Sequence, residues 1–127
     1  MSLNFDPNQN CYLFNKKDSV PLIFIHGVGL DHQMWKGQIS YFNEYSTLAY
    51  DLLGHGKTPY IKDKLSLRDF SNQLLEILDH LKIEKINLIG FSLGSLIALD
   101  FSSHFQKKVE KLILIGTTYK RSDEERS

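Results

Sequence analysis

The chain has 127 residues, of which 42% are hydrophobic and 24% are charged, and its 15 basic residues balance 15 acidic ones. That composition is typical of a folded domain and excludes a disordered chain, while the neutral charge gives no electrostatic reason to expect nucleic acid or an anionic membrane as a partner. The single cysteine, Cys11, cannot form an internal disulfide, and we expect it to be a buried, unreactive thiol.

The N-terminal segment is predicted to form a hairpin rather than a targeting signal. Strands at residues 3–5 and 11–14 flank the turn-forming residues 6–10. The segment lacks the basic and apolar parts of a signal peptide, and the longest apolar run, residues 20–25, is too short to cross a bilayer. We therefore expect a cytoplasmic protein.

Apolar strands and amphipathic helices alternate from Pro21 onward. The predicted buried strands are residues 21–26, 47–51, 86–90 and 111–116, and the helices between them begin at Asp31, Ser66 and Leu93. This alternation predicts an α/β fold with a three-layer, open, mostly parallel sheet and helices on both of its faces. We expect a single domain over residues 1–127.

Each of the first two helices has a start signal and one apolar face. Asp31 is placed to cap the first helix, and Ser66 with Asp69 forms a capping-box pattern at the start of the second. Helical spacing predicts that these apolar side chains face the sheet: Trp35, Ile39 and Phe42 from the first helix, and Phe70, Leu74, Ile77, Leu78 and Leu81 from the second.

The end of the sequence carries one more helix-start pattern. Ser122 and Glu125 have the spacing of an N-cap and its partner in a capping box, so we expect a helix to begin there. The alternative is a solvated, charged tail. Without a covering element, the strand at residues 111–116 would be an open sheet edge through which the chain could self-associate.

The segment Gly90-Phe91-Ser92-Leu93-Gly94 joins a predicted strand to a predicted helix. In this G-x-S-x-G turn the serine is strained, its Oγ is lifted clear of the backbone, and a Cβ at either glycine would collide with the strand or the helix. Ser92 is therefore the candidate nucleophile. The alternative is a serine in an ordinary loop.

Two more motifs follow the neighbouring predicted strands. They are His26-Gly27-Val28-Gly29 and Asp51-Leu52-Leu53-Gly54-His55-Gly56. Ligands bind at the C-terminal edge of such a sheet, where all three motifs are expected to meet. In this order and spacing, the motifs resemble the N-terminal half of an α/β-hydrolase fold enzyme, over roughly residues 21–116.

The resemblance implies a serine hydrolase of the carboxylesterase or enol-lactonase kind, with an ester or lactone as its small-molecule substrate and no metal or organic cofactor. Ser92 would form an acyl-enzyme, and the backbone N–H groups of Val28 and Leu93 would bind the oxyanion. The motif residues implied to support the site are His26, Gly27, Gly29, Asp51, Gly54, His55, Gly56, Gly90 and Gly94.

The family order of the triad is serine, acid, then histidine. His104 is the only histidine after Ser92, and we expect it on the third helix, pointing away from the C-terminal edge. The candidate acids Asp100 and Glu110 are also misplaced. The resemblance therefore implies a fold truncated before its cap and last strands, with the acid and base in a missing C-terminal part and the 127-residue chain alone inactive.

Other assignments of these residues are less consistent with the sequence. His32 breaks a dinucleotide-type G-x-G-x-x-G pattern, and a metal site from His26, Asp31 and His32 has no recognised ligand spacing. We expect His32, like His80 and His104, to be a surface or cap residue on a helix. Two alternatives for the whole chain stay open: a C–C bond hydrolase or acyltransferase of the same fold, and a non-catalytic fragment or interaction module.

Overall fold

Six strands form one mixed sheet in the computed structural model, which describes residues 2–116. The strands lie in the order β1-β2-β4-β3-β5-β6. Their bounds are β1 Asn4–Phe5, β2 Cys11–Asn15, β3 Leu22–Ile25, β4 Thr47–Tyr50, β5 Ile86–Phe91 and β6 Val109–Ile115. The three α-helices are α1 Lys36–Tyr41, α2 Leu67–Leu81 and α3 Leu93–His104, and two short 3₁₀ turns cover His32–Trp35 and Gln106–Lys108.

The four strands from β3 to β6 are parallel, whereas β1 and β2 are antiparallel, as the predicted hairpin requires. Ile25 at the end of β3 lies opposite Tyr50 of β4 and Gly90 of β5. The three strands therefore end level with one another. This register brings the loops after β3, β4 and β5, which carry the three sequence motifs, to the same edge of the sheet.

Alternate side chains of β3 enter two different apolar layers, which confirms the prediction of helices on both faces. Ile23 and Ile25 pack with α2 and α3, and Phe24 packs with Trp35 and Ile39 on the other face. Burial of these layers supplies most of the drive for folding. Within the described residues, none of the helices is long and apolar enough to cross a bilayer.

The helix starts follow their capping residues. The Ser66 amide donates to the Asp69 carboxylate (2.8 Å) and the Asp69 amide donates to the Ser66 hydroxyl (3.2 Å), so the predicted capping box is present. The Asp31 carboxylate accepts from the Gln33 amide (2.8 Å), but the segment that it caps is a 3₁₀ turn, and α1 begins only at Lys36.

The strand β6 differs from the prediction of a buried strand. It is an edge strand of the described sheet, and Ile113 and Ile115 are 53% and 43% exposed. An apolar run favours burial, but burial also needs an element on each face, and the described residues place none over these two side chains. The predicted helix start at residues 122–125 lies outside the described residues. Self-association through β6 stays a prediction.

Candidate active site

Ser92 occupies a sharp turn between β5 and α3. Its backbone angles are φ 55° and ψ −116°, a region that L-residues rarely enter and that costs about 1–3 kcal/mol. The Ser92 amide donates to the Ile115 carbonyl at the end of β6 (3.0 Å), and the Ser92 carbonyl accepts from the Ser95 amide (2.9 Å). The neighbouring strand and the first turn of the helix therefore hold the strained residue in place.

The two glycines of the motif are required by close backbone contacts on opposite sides of Ser92. A Cβ on Gly90 would overlap the carbonyl of Gly94 and lie 2.8 Å from the Cα of Ser95. A Cβ on Gly94 would overlap the carbonyl of Ile25 and lie 2.7 Å from that of His26. These positions cannot carry a side chain unless α3 moves away from the sheet.

The two expected oxyanion donors belong to the start of α3 and to the loop after β3. Leu93 is the first residue of α3, so its amide has no partner within the helix and lies at the positive end of the helix dipole. Val28 lies in the exposed loop after β3. Gly27 brings that loop against the turn, since a Cβ on Gly27 would be 3.0 Å from the ring of Phe91, the residue before Ser92.

His26 is fully buried and uses both ring nitrogens. Its Nε2 accepts from the Leu52 amide (3.0 Å), so the proton is on Nδ1, which donates to the Gly27 carbonyl (2.7 Å). Burial lowers the pKa of the imidazole and favours this neutral form. His26 thus joins the loop after β3 to the loop after β4, and it has no nitrogen left to act as a base.

Asp51 fixes the glycine-rich loop after β4. One carboxylate oxygen accepts from the amide and from Nδ1 of His32 (both 2.8 Å), and the other accepts from the Lys57 amide (2.9 Å). Burial alone would raise the pKa of this carboxyl, but the bonds from Lys57 and His32 outweigh burial and hold the pKa below its usual range. A Cβ on Gly56 would overlap the carboxylate, which shows how tightly the loop closes around it.

The surface position expected for His32 is wrong. The residue does begin a short helical turn, but it is only 8% exposed because its ring and amide both bond to Asp51. His80 and His104 are exposed on α2 and α3, as predicted. A sequence pattern identifies a helix-borne histidine, but it does not show that a carboxylate from another strand end lies beside it.

Gln73 is a site-supporting residue that the sequence reasoning missed. It is 1% exposed on α2, its amide nitrogen donates to the Asp51 carbonyl (2.9 Å) and to Asn10 Oδ1 (3.1 Å), and its oxygen accepts from the Leu53 amide (3.1 Å). One feature of the sequence could have identified Gln73, since it lies between Phe70 and Ile77 on the apolar face of α2. A polar residue within such a face is buried only when it is hydrogen-bonded.

The sequence of this chain matches a known protein family. Residues 20–126 match the family model described as the alpha/beta hydrolase fold. The chain belongs to the α/β hydrolase fold family. The prediction made from the three motifs is thereby confirmed at the level of the family.

Individual members of this family are similar over most of the chain. An (E)-2-((N-methylformamido)methylene)succinate hydrolase of Acinetobacter baylyi is 31% identical over 122 residues, covering 95% of this chain and 46% of the relative. A 3-oxoadipate enol-lactonase of the same organism is 30% identical over 112 residues, covering 87% and 42%. A solved structure from a study of Nitrososphaera gargenis carboxylesterases superposes with a TM-score of 0.83 and 26% identity, covering 98% and 48%. The chain thus spans about half the length of these relatives.

Within residues 2–116 of this α/β hydrolase chain, no histidine ring is hydrogen-bonded to the Ser92 hydroxyl. His104 lies at the opposite end of α3, about 17 Å from Leu93 along the helix axis, where its Nδ1 donates to the Asp100 carbonyl (2.8 Å). The Asp100 carboxylate accepts from the Ser71 hydroxyl (2.7 Å), so it too faces α2 rather than the turn. His55 Nδ1 bonds to the Leu53 carbonyl (3.0 Å), and its ring packs 5.1 Å from that of His26.

Among residues 2–116, one cluster of potential metal ligands lies beside the site. Donor atoms of Asp31, His32 and Asp51 lie within 4.8 Å of one another. Asp31 is bonded to the Gln33 amide, and the His32 ring is bonded to Asp51, which accepts the Lys57 amide as well. Because these groups are already engaged with one another and with the backbone, the cluster is explained as a hydrogen-bonded support for the loops.

Proposed function

We propose that Ser92 is the nucleophile of a hydrolase that cleaves carboxylic esters or lactones. The observation that carries the proposal is the strained backbone of Ser92 at the start of α3, between two glycines that the packing requires. Strain of this kind persists only where the surrounding structure enforces it, and it concentrates at functional sites. The named activities of two relatives, an enol-lactonase and carboxylesterases, support an ester or lactone as the substrate.

In the proposed reaction, Ser92 Oγ attacks the acyl carbon, and a base takes the hydroxyl proton. The carbonyl oxygen becomes an oxyanion that accepts hydrogen bonds from the Leu93 and Val28 amides, each worth about 10²–10³ in rate. Collapse of this intermediate breaks the bond to the leaving alkoxide, which takes up the proton. Water then attacks the acyl-enzyme in the same way and releases the acid and free Ser92.

We expect the catalytic base, and the acid that orients it, to be supplied by residues outside 2–116. The rings of His26 and His32 are committed to the loops, and His104 is at the far end of α3. An unassisted serine hydroxyl is a weak nucleophile, so the activity belongs to the protein form that also carries these two groups.

The test compares the longest form that the gene encodes with its Ser92→Ala variant. Both are assayed on short-chain p-nitrophenyl esters, on lactones and on a C–C cleavage substrate, with Ser102→Ala on the same helix as the control. We expect ester or lactone hydrolysis that is retained in Ser102→Ala and falls by about 10³-fold or more in Ser92→Ala. Equal turnover by wild type and Ser92→Ala would contradict the proposal, and turnover of the C–C substrate alone would contradict the substrate class.

A further inference from the structure

The peptide bond between Ser92 and Leu93 connects the nucleophile to an expected oxyanion donor. Its carbonyl belongs to Ser92 and its N–H to Leu93. In a planar trans peptide the two groups point in opposite directions. An interaction that fixes the direction of the Ser92 carbonyl therefore also fixes the direction of the Leu93 N–H.

Ser95 supplies the shortest hydrogen bond to that carbonyl. Its hydroxyl donates to the Ser92 carbonyl over 2.6 Å, compared with 2.9 Å for the Ser95 amide and 3.4 Å for the Leu96 amide. The bond from Leu96, which is the regular α-helical one, is thus stretched. Ser95 is completely buried, so its hydroxyl is not exposed to water.

Serine hydroxyls often bond to a carbonyl of the preceding helical turn, where they have a local structural effect. The position of Ser95 is different because the accepting carbonyl belongs to a residue with φ 55°. Only the first turn of α3 bonds to this peptide, with one of its two backbone bonds stretched, since the peptide lies at the junction where the strained turn enters the helix. Bonding at the carbonyl also polarises the peptide and strengthens its N–H as a donor.

We propose that Ser95 is a positioning residue for the oxyanion site. Its hydroxyl holds the Ser92–Leu93 peptide so that the Leu93 N–H points out of the helix toward the reacting acyl group. This inference rests on the proposed function of Ser92. Loss of the hydroxyl leaves the nucleophile in place and loosens one of the two donors, so the chemical step slows while substrate binding is retained.

The kinetic test compares Ser95→Ala with Ser71→Ala in the longest form that the gene encodes. Ser71 is a matched control because it is also completely buried and donates one hydrogen bond (2.7 Å), to Asp100 of α3, away from the turn. We expect Ser95→Ala to lower kcat about tenfold or more, with KM within about twofold, and Ser71→Ala to change kcat by less than about twofold. Ser95→Cys keeps a weak donor, and its kcat is expected to lie between those of Ser95→Ala and wild type. This variant replaces Ser95→Ala in the comparison if Ser95→Ala does not fold.

A second measurement reports on the peptide without requiring activity. NMR relaxation dispersion at the Leu93 amide is expected to show microsecond-to-millisecond exchange in Ser95→Ala and none in wild type or Ser71→Ala. A kcat for Ser95→Ala equal to that of Ser71→Ala, or a Leu93 amide equally rigid in both, would overturn the role of Ser95. If wild type and Ser92→Ala have the same turnover, the proposed function fails, and the NMR result alone then decides whether Ser95 fixes the peptide.

Discussion

Gly94 lies so close to β3 that a Cβ on it would overlap the backbone carbonyl of Ile25. The contact joins the first turn of α3 to the centre of the sheet, where β3 lies between β4 and β5. It therefore fixes the height of the helix above the strand ends. The direction of the Ser92 side chain depends on this close approach, together with the one at Gly90.

The first prediction concerns the substitution Gly94→Ala. We expect a loss of about 3 kcal/mol or more in the free energy of unfolding, because the added methyl meets rigid backbone that cannot move aside. Gly37→Ala in α1 is the control, since a Cβ there meets nothing within 4 Å. Chemical denaturation should show Gly37→Ala to be neutral or more stable by about 0.5–1 kcal/mol. Equal effects at the two sites would show that the contact with Ile25 is not limiting.

The second prediction concerns strain at Ser92. Glycine adopts a positive φ without a steric penalty. Its greater flexibility in the unfolded chain lowers the free energy of unfolding by about 0.5–1 kcal/mol relative to alanine. Relief of about 1–3 kcal/mol of strain should exceed that cost. We therefore expect Ser92→Gly to be more stable than Ser92→Ala by about 1 kcal/mol in thermal or denaturant unfolding. A less stable glycine variant would show that the turn is not strained.

The third prediction concerns Asp51→Asn. Both carboxylate oxygens of Asp51 accept backbone amides, one from His32 and the other from Lys57, so either orientation of an asparagine amide places an NH₂ group against an N–H donor. We expect a loss of about 2 kcal/mol or more in stability, measured by denaturation. Asp79→Asn, at an exposed position of α2, is the control and should change stability by less than about 0.5 kcal/mol. A similar, small effect at both positions would contradict the role given to Asp51.

The fourth prediction concerns the protonation of His26. Because burial lowers its pKa in the folded protein, the unfolded chain binds this proton more readily. The contribution of His26 to stability is then present above the unfolded pKa of about 6.5 and is lost as the pH falls through the lower, folded pKa. ¹⁵N NMR of the ring should show a mainly neutral imidazole at pH 6.5, the ordinary pKa of the group, with the proton on Nδ1. An imidazolium at that pH, or a proton on Nε2, would contradict the assignment.

The motifs and the alternation of strands and helices were sufficient to predict the architecture. Apolar runs such as residues 21–26 and glycines at fixed positions around Ser92 are local patterns, and the structure places them where the patterns indicate. The capping box at Ser66 is equally local and was also predicted correctly. These features depend on residues that are close in the sequence.

The polar contacts that support the site depend on residues far apart in the sequence. Gln73 reaches Asn10, 63 residues away, and His32 reaches Asp51, 19 residues away. Periodicity does not determine which polar side chains meet across strand ends. The exposure of side chains on β6 has a related cause. Their burial depends on whether another element packs over them, and the apolar run of the strand does not determine that.

Chemical modification of Ser92 tests its role as the nucleophile most directly. The longest form that the gene encodes is incubated with a fluorophosphonate, and the modified residue is identified by peptide mass spectrometry. We predict a single phosphonyl adduct on the peptide that contains Ser92, absent from Ser92→Ala and retained in Ser102→Ala. An unmodified Ser92 in a protein that hydrolyses esters, or equal modification of wild type and Ser92→Ala, would contradict the assignment of Ser92 as the nucleophile.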